Sequence, residues 1–558
     1  MEIQPQLFTL DTFLHGRLFR VPEYQRAYSW GKKQRADLFG DIRRVKTSGE
    51  DHFMATIVGL VRKKEKKQIV ADQFAVVDIV DGQQRLTTLI TLLKSIHKAL
   101  SPSDKDEQKL ASELAKLLVK DDEHTLLLLQ TNHDTSHLFA DYIRDGTVPD
   151  ALASTSADQN IVDAIRECEE FVAQWCSPSG SLVELISIIR HRLSAVFHIV
   201  DDEGLVYRVF EVLNSRGLDV ASIDKLKSQL MGLAFEHGAN AGRDEAIGEL
   251  HRIWQDIYRV IGKQRFTTET LRFAATLKAP PEVSHRRPLD EQKSLETLVA
   301  AAGKKPKQVI DCAKWLHAVA TAEDKLLTHH RWRAVTQILQ ARLVAIAVLL
   351  RKFTSAEEAN VLGRWERVSF RIYGLSRADA RSKVGDYTTL AWSITNEGLS
   401  AQEIMDRLST LGKDYPIGKT IDEAFDPSNA YEGWTEEVRY FLYRYEENLA
   451  RKAGQKLNES QWNRIWAEEP SKSVEHIKAQ SSGVSYVHHL GNLIMLPPGV
   501  NSKLQDADPS DKAETYESCG LLLAIEVAKL IERGAWNKAA VEARSSALLS
   551  WARSEWRD

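Results

Sequence analysis

The spacing of apolar and polar positions changes period along the chain. Residues 53–61 (FMATIVGLV) are apolar and predict a strand, and residues 73–80 predict a second, mostly buried one. The run KKEKK at 63–67 predicts a charged turn between them, and Asp81-Gly82 is a further turn signal. Beyond it Leu86, Leu89, Ile90, Leu93, Ile96 and Leu100 recur at helical spacing on one face. The predicted order is strand, tight polar turn, helix. A polar connection follows at 101–107. Helical periodicity returns at 162–173 and 182–193, a short strand is expected at 197–201, and a helix at 206–213.

Residues 236–425 are nearly all helical in pattern, broken near 279–288 and near Asn396. The longest apolar stretch, 343–350, is bounded by Arg342 and Arg351. It is far short of the roughly 20 residues that span a bilayer, so it reads as a buried helix and no membrane association is expected. Turn chemistry at 422–433 (DEAFDPSNAYEG) marks a boundary. After it come a helix at 436–453, a strand at V-E-H-I and a helical tail at 515–556. The fold class expected is α+β and predominantly helical, with domains at 1–235, 236–425 and 426–558.

Composition adds little. Hydrophobic residues make up 43% and charged residues 27%, which is ordinary for a globular chain. The net charge of −4 means that any DNA contact must come from local basic patches. Four cysteines without a CxxC pair argue against structural zinc and a disulfide framework, and for a reducing cytoplasm. Residues 1–14 carry no long apolar core, so no signal peptide is expected.

Chemistry concentrates near the C-terminus, in V-E-H-I, then H-H-L-G-N-L, then P-P-G-V-N-S. Phosphodiester hydrolysis needs an activated water and neutralisation of charge in the transition state. His476 suits the first task, because imidazole titrates near neutrality. A hard cation held by oxygen ligands suits the second. Asn501 offers such an oxygen, and Asn492, in a glycine-containing turn, is placed to orient the imidazole. Pro497-Pro498-Gly499 is expected to turn the chain back toward the histidine. His488 and His489 read as flanking the turn, and His329-His330 as helix surface.

Four polar clusters mark the N-terminal half: residues 21–30 (VPEYQRAYSW), 78–85 (DIVDGQQR), 210–217 (FEVLNSRG) and 224–227 (DKLK). A helix start after Asp81-Gly82 offers unpaired N–H groups and a positive dipole end to phosphate. Gly82 permits close backbone approach. Arg85 and Arg26 can fork onto phosphate oxygens, and Asp78 and Asp81 are carboxylates for Mg²⁺. No P-loop motif is present. Tyr24, Tyr28 and Trp30 alternate with Arg26, where an extruded base could stack.

The C-terminal pattern resembles the HNH, or ββα-metal, nuclease motif. V-E-H-I…L-G-N-L…N-S-K-L is similar, more narrowly, to the nuclease half of GmrSD-type modification-dependent (type IV) restriction proteins. That resemblance implies His476 as general base, Asn492 as its orienting residue, Glu475 and Asn501 on the metal side, and Lys512 at a DNA phosphate. One departure is Ala479, where the family usually has proline. The N-terminal clusters together resemble the other half of the same family, a ParB-like α/β core with a helical extension, whose D-G-Q-Q-R is linked to NTP binding and hydrolysis. The implied nucleotide site is Asp81, Gly82, Gln83, Gln84 and Arg85, with Tyr24, Gln25, Arg26, Asn214, Arg216 and Lys227 around it.

The expected function is therefore an NTP-regulated endonuclease that cuts modified foreign (phage) double-stranded DNA in antiviral defence. The cofactors implied are Mg²⁺ or Mn²⁺ and an NTP of unspecified base. A homodimer would bring together the two active sites that double-strand cleavage requires. The competing readings are a nucleotide-gated regulator with an inactive nuclease domain, and an RNA-cleaving abortive-infection effector.

Overall fold

The computed structural model describes the chain except residues 1–4, 23–24, 26, 70–71, 122–125, 132–135, 148–155, 178–179, 201–221, 238–239, 265–267, 284–285, 333–334, 336, 468 and 558. The expected helix at 206–213 and the third polar cluster, with Asn214 and Arg216, lie outside the described residues, as do Tyr24 and Arg26. The fold is mixed α+β and mostly helical. It divides into two compact units, Met1–Ala274 with Asp290–Ala320, and Ala275–Leu289 with Thr321–Asp558. No helix among the described residues is long and apolar enough to cross a membrane.

The first unit is built on a sheet. Its strands are β1 (Pro5–Thr9), β2 (Arg17–Val21), β3 (His52–Ile69), β4 (Asp72–Asp81), β7 (Leu129–Thr131) and β8 (Leu193–Val200), in the spatial order β1-β8-β3-β4-β2-β7. Two short strands, β5 (Val119–Asp121) and β6 (Leu126–Leu127), form a separate pair. β4 carries the predicted buried strand, and Val77 and Ile79 are fully buried in it. The predicted helix follows as Gln83–Ala99, burying Leu86, Leu89, Ile90, Leu93 and Ile96. Phe13, Phe19 and Phe197 bring two strands and the short helix Leu10–Leu14 into this core: Phe13 stacks on Phe19 at 4.7 Å and meets Phe197 edge-on at 5.0 Å.

The KKEKK run departs from expectation. β3 does not turn there but continues to Ile69, pairing Lys66 with Ala75 and Lys67 with Phe74 after a register shift. Among the described residues β8 pairs with β3 from His52 to Leu60. The pairing with β4 outweighs the local composition.

The second unit is a helical assembly with one small hairpin-like pair. All but the last residue of the apolar run lies in the helix Leu339–Leu349, which is buried from Gln340 to Val348 and packs on Val384–Asn396 and Ser355–Ser369. A buried ion cluster ties its elements together. Arg444 holds Glu366 and Glu555, each at 2.5 Å, and Trp556 Nε1 and Tyr440 Oη donate to Glu366 at 3.0 and 2.8 Å. His329 and His330 follow the helix that ends at Thr328, and they are not a bare helix surface. His329 stacks on Trp332 at 4.0 Å and His330 on Trp466 at 6.1 Å. β9 (Val474–His476) pairs antiparallel with β10 (Leu493–Met495), and the helices Thr435–Lys452 and Leu522–Arg533 pack against β10. The helix Pro498–Leu504 comes next, then Pro509–Ser518. The Pro-Pro-Gly segment starts that helix rather than making a return turn, since proline is suited to a first helical position.

Candidate active site

β9 ends at His476, opposite Leu493 on β10. The imidazole is only 6% exposed. Its Nε2 lies 3.2 Å from His488 Nδ1 and 3.3 Å from the Gln480 side-chain amide. The Tyr431 ring meets it edge-on at 4.5 Å and lies parallel to the His488 ring at 5.6 Å. Burial, helped by the nearby His488 and Lys512, pushes the His476 pKa down to about 3, so the ring is neutral near pH 7. A neutral imidazole is the form that can accept a proton.

Asn492 does not touch that ring. It is fully buried in the 3₁₀ turn Leu490–Asn492, and its amide serves the backbone. Oδ1 accepts from Lys478 N at 2.9 Å and Trp536 Nε1 at 3.1 Å, while Nδ2 donates to Lys478 O at 2.9 Å and Val487 O at 2.8 Å. The main chain adds a bond from Ile477 N to Asn492 O at 2.9 Å. Asn492 thus fixes the two residues after His476 and orients the imidazole only through them.

The neighbouring glycine explains the L-G-N-L spelling. A Cβ on Gly491 would lie 2.0 Å from Val541 O, so no side chain fits. Gly491 N donates to Ser545 Oγ at 2.8 Å, and the buried Arg544 donates to Gly491 O and Leu493 O, both at 2.8 Å. The C-terminal helix Lys538–Glu555 is therefore a bracket for this turn.

Glu475 and Lys512 depart from the roles read in the sequence. Lys512 is fully buried, and its Nζ binds Glu475 Oε1 at 2.5 Å and His476 O at 3.0 Å. Burial raises the Glu475 pKa, and the Lys512 ammonium opposes that shift. A lysine without solvent exposure does not reach a DNA phosphate, and a carboxylate already neutralised by an ammonium is a poor cation ligand. Asn501, on the helix Pro498–Leu504, donates from Nδ2 to Lys472 O at 2.8 Å. Its Oδ1 is available as a ligand oxygen. Among the described residues no three His, Cys, Asp or Glu side chains gather as a metal site. The donor set as built does not fit a protein-held divalent cation.

Ala479 stands at φ −57° and ψ 148°, inside the range proline itself adopts. Alanine therefore keeps the backbone path that the missing proline would set.

In the first unit, β4 delivers Asp81 to Gly82, which has φ +91° and lies 3.0 Å from Ile57 at its missing Cβ position. Glycine meets both demands. Gly82 N donates to Asp81 Oδ1 at 2.8 Å, and the helix begins at Gln83. Gln84 is turned inward: its Oε1 accepts from Ser29 N at 2.7 Å, and its Nε2 donates to Ala27 O at 3.2 Å. Gln25 Nε2 donates to Val80 O at 2.9 Å. These two glutamines hold the 25–30 segment to the strand–helix junction. Gln83 is buried at the first turn. The Arg85 guanidinium sits over the Trp30 ring at 5.7 Å; burial lowers its pKa, while Asp81 and Asp41 raise it. Asp78 is buried against Arg20 at 2.6 Å. Lys227 lies on the helix Ser222–His237 with its ammonium over Tyr258 at 5.3 Å, and Asp224 accepts from the Tyr258 hydroxyl at 2.5 Å.

Residues 10–231 match the family description "GmrSD restriction endonuclease, N-terminal domain", and residues 415–551 match "GmrSD restriction endonucleases, C-terminal domain". The chain belongs to the GmrSD restriction endonuclease family. No curated protein matches it. Both halves of a GmrSD protein are thus present, each covering one of the two polar constellations.

Four contributors to this GmrSD C-terminal site were missed in the sequence: Tyr431, Gln480, Trp536 and Arg544. His488 was seen but read as a flank. Gln480 follows His476 by four residues and was open to local reading. Tyr431, Trp536 and Arg544 come from separate segments that only the tertiary fold brings together.

The His476 shift has a stability consequence. In the unfolded chain the ring binds a proton near pH 6.5, whereas in the folded chain it does so only near pH 3. The unfolded state therefore holds more protons between these values, and stability falls as pH falls through that window, by up to about 1.4 kcal/mol per pH unit. Denaturant unfolding at pH 7 and pH 4.5 should show wild type losing about 2–3 kcal/mol more than His476→Gln. Equal losses would place the ring in solvent.

Proposed function

We propose that this chain is an NTP-regulated endonuclease that cuts modified foreign DNA, with His476 as the general base. The observation that carries this is the buried, neutral imidazole at the end of β9, fixed on several sides and set in a strand–strand–helix order. That order, β9, β10 and the helix Pro498–Leu504, supports an HNH-like reading. Membership of the GmrSD family supports the endonuclease assignment.

In this reading a water beside His476 loses a proton to the ring as its oxygen attacks phosphorus, the phosphodiester P–O bond opposite the attack breaks, and the departing sugar oxygen takes a proton from solvent. Lys512, bound to His476 O, anchors the end of β9, and Asn492 holds the chain just beyond it. Glu475 is committed to Lys512, so these side chains are not read as holding a divalent cation.

The first unit would bind the NTP where the strand β4 gives way to the helix Gln83–Ala99. A glycine turn, a helix start and Arg85 converge there, and all three favour phosphate. A ParB-like core fits this junction. Gln84 and Gln25 then shape the site through the backbone they hold. The sequestered Glu475 favours one second reading, a nucleotide-gated regulator with an inactive nuclease domain.

A panel of modified and unmodified DNAs, incubated with Mg²⁺ or Mn²⁺ and each NTP, separates the two. His476→Ala should lower the cleavage rate by about 10²–10⁴-fold while fold and DNA binding persist. Undiminished cleavage in the variant removes His476 from catalysis, and no cleavage of any DNA by wild type favours the regulator. At the other site, Arg85→Ala should lose NTP hydrolysis, measured as released phosphate. Unchanged turnover would take Arg85 out of the nucleotide site.

A further inference from the structure

Arg85 is the cation of the nucleotide site proposed above. Among the described residues its guanidinium makes no hydrogen bond or ion pair, so its five N–H groups are open to a ligand. A long side chain held by nothing samples many rotamers and must be ordered each time a phosphate binds. What lies against it is the Trp30 ring, whose centroid is 5.7 Å from the guanidinium carbon. We propose that Trp30 is a positioning residue of the nucleotide site: its ring is the platform that sets the Arg85 guanidinium for phosphate. The proposal rests on Asp81–Arg85 being that site and adds the residue that readies Arg85 for its ligand.

The platform is itself fixed. Trp30 N donates to Gln84 Oε1 at 3.3 Å, beside the shorter bond from Ser29 N at 2.7 Å. Trp30 O accepts from Arg35 Nη1. Arg35 is buried and forked onto Glu167, with Nε and Nη2 each 2.8 Å from a carboxylate oxygen. The peptide groups on both sides of the Trp30 side chain are thus held. One is tied to the helix Gln83–Ala99, the other through a buried ion pair to the helix Ser156–Cys176. The indole also packs against the hydrophobic core of the first unit.

Gln84 and Arg85 are adjacent, so one helical turn supplies both the clamp on the Trp30 backbone and the cation on its ring. The negative face of an indole attracts a guanidinium without using its N–H groups. A carboxylate in the same place would take two of them. Asp81 and Asp41 add a longer-range pull on the cation. A phosphate-binding arginine needs this combination, a fixed place and donors still to give. The aromatic cluster is reassigned as a result. Tyr28 is buried with its hydroxyl 2.8 Å from Thr88 Oγ1, and Trp30 carries Arg85, so neither ring is set to stack an extruded base.

The test reads the contact and the ligand separately. The full chain labelled with [¹⁵N]arginine, without nucleotide, gives Nε–Hε correlations, and Arg85→Ala identifies the Arg85 signal by its loss. Ring currents should hold that proton upfield of an exposed arginine's. Trp30→Leu should return it downfield, and Trp30→Phe should keep part of the shift. NTP affinity is then measured by equilibrium dialysis with each NTP. Trp30→Leu should weaken binding about tenfold, and Trp30→Phe should recover most of it. In an Arg85→Ala background Trp30→Leu should cost nothing further, which a merely structural role would not give. An Arg85 signal unmoved in Trp30→Leu overturns the proposal, as does undiminished affinity or an additive double variant. If Trp30→Leu fails to fold, the wild-type spectrum decides, since an Arg85 proton at the exposed position overturns the contact. A wild type that binds no NTP overturns the proposal through the nucleotide reading. The spectrum needs no nucleotide, so the two failures are told apart.

Discussion

The side-chain amide of Asn492 commits both of its hydrogens and its oxygen within one buried turn, and the active-site geometry depends on those bonds. They join the backbone after His476 to the backbone before the L-G-N-L turn and to the indole of Trp536. Asn492 itself is fully buried, so losing one of these bonds leaves a polar group of its amide unpaired, at a cost of about 1–3 kcal/mol. Gly491 lets the C-terminal helix lie directly against the turn, and Arg544 and Ser545 bind it there. The helical tail thus braces the turn that carries Asn492.

The buried pair Glu475–Lys512 is the second constraint. Removing either partner would leave a charge in a low-dielectric interior, so the two must be kept or replaced together. Lys512 also reaches the carbonyl of His476. The pair therefore anchors the end of β9 from below while Asn492 fixes the chain beyond it. Between them His476 is held buried and neutral, and its outward neighbours are aromatic rings and an amide.

Much of this was legible in local patterns. The strand, glycine turn and helix around Asp81–Gly82 follow from residue type alone, because the turn needs positive φ and the helix shows its apolar face. The V-E-H-I strand and the buried helix at 339–349 follow from apolar runs. What was not legible depends on distant partners. The KKEKK run lies within β3, and β4 pairs with its last two residues. Lys512 reads as a surface base until Glu475 is seen to close on it. Gln84 reads as a ligand group until the 27–30 backbone is found on its amide. Asn492 reads as the residue that orients the imidazole until its amide is found on the peptide backbone, which sequence spacing does not reveal.

The central claim is that backbone fixed by Asn492 makes His476 a working base. Asn492→Asp tests it most directly, since the side chain keeps its shape and its acceptor but loses both donors and faces two carbonyl oxygens. The measurement is single-turnover cleavage of the most susceptible DNA in a modified-DNA panel, with thermal unfolding as the check on fold. The account predicts a loss of about 10²-fold, the scale expected when a reacting group is displaced by roughly 1 Å. Cleavage at the wild-type rate by the folded variant would contradict it.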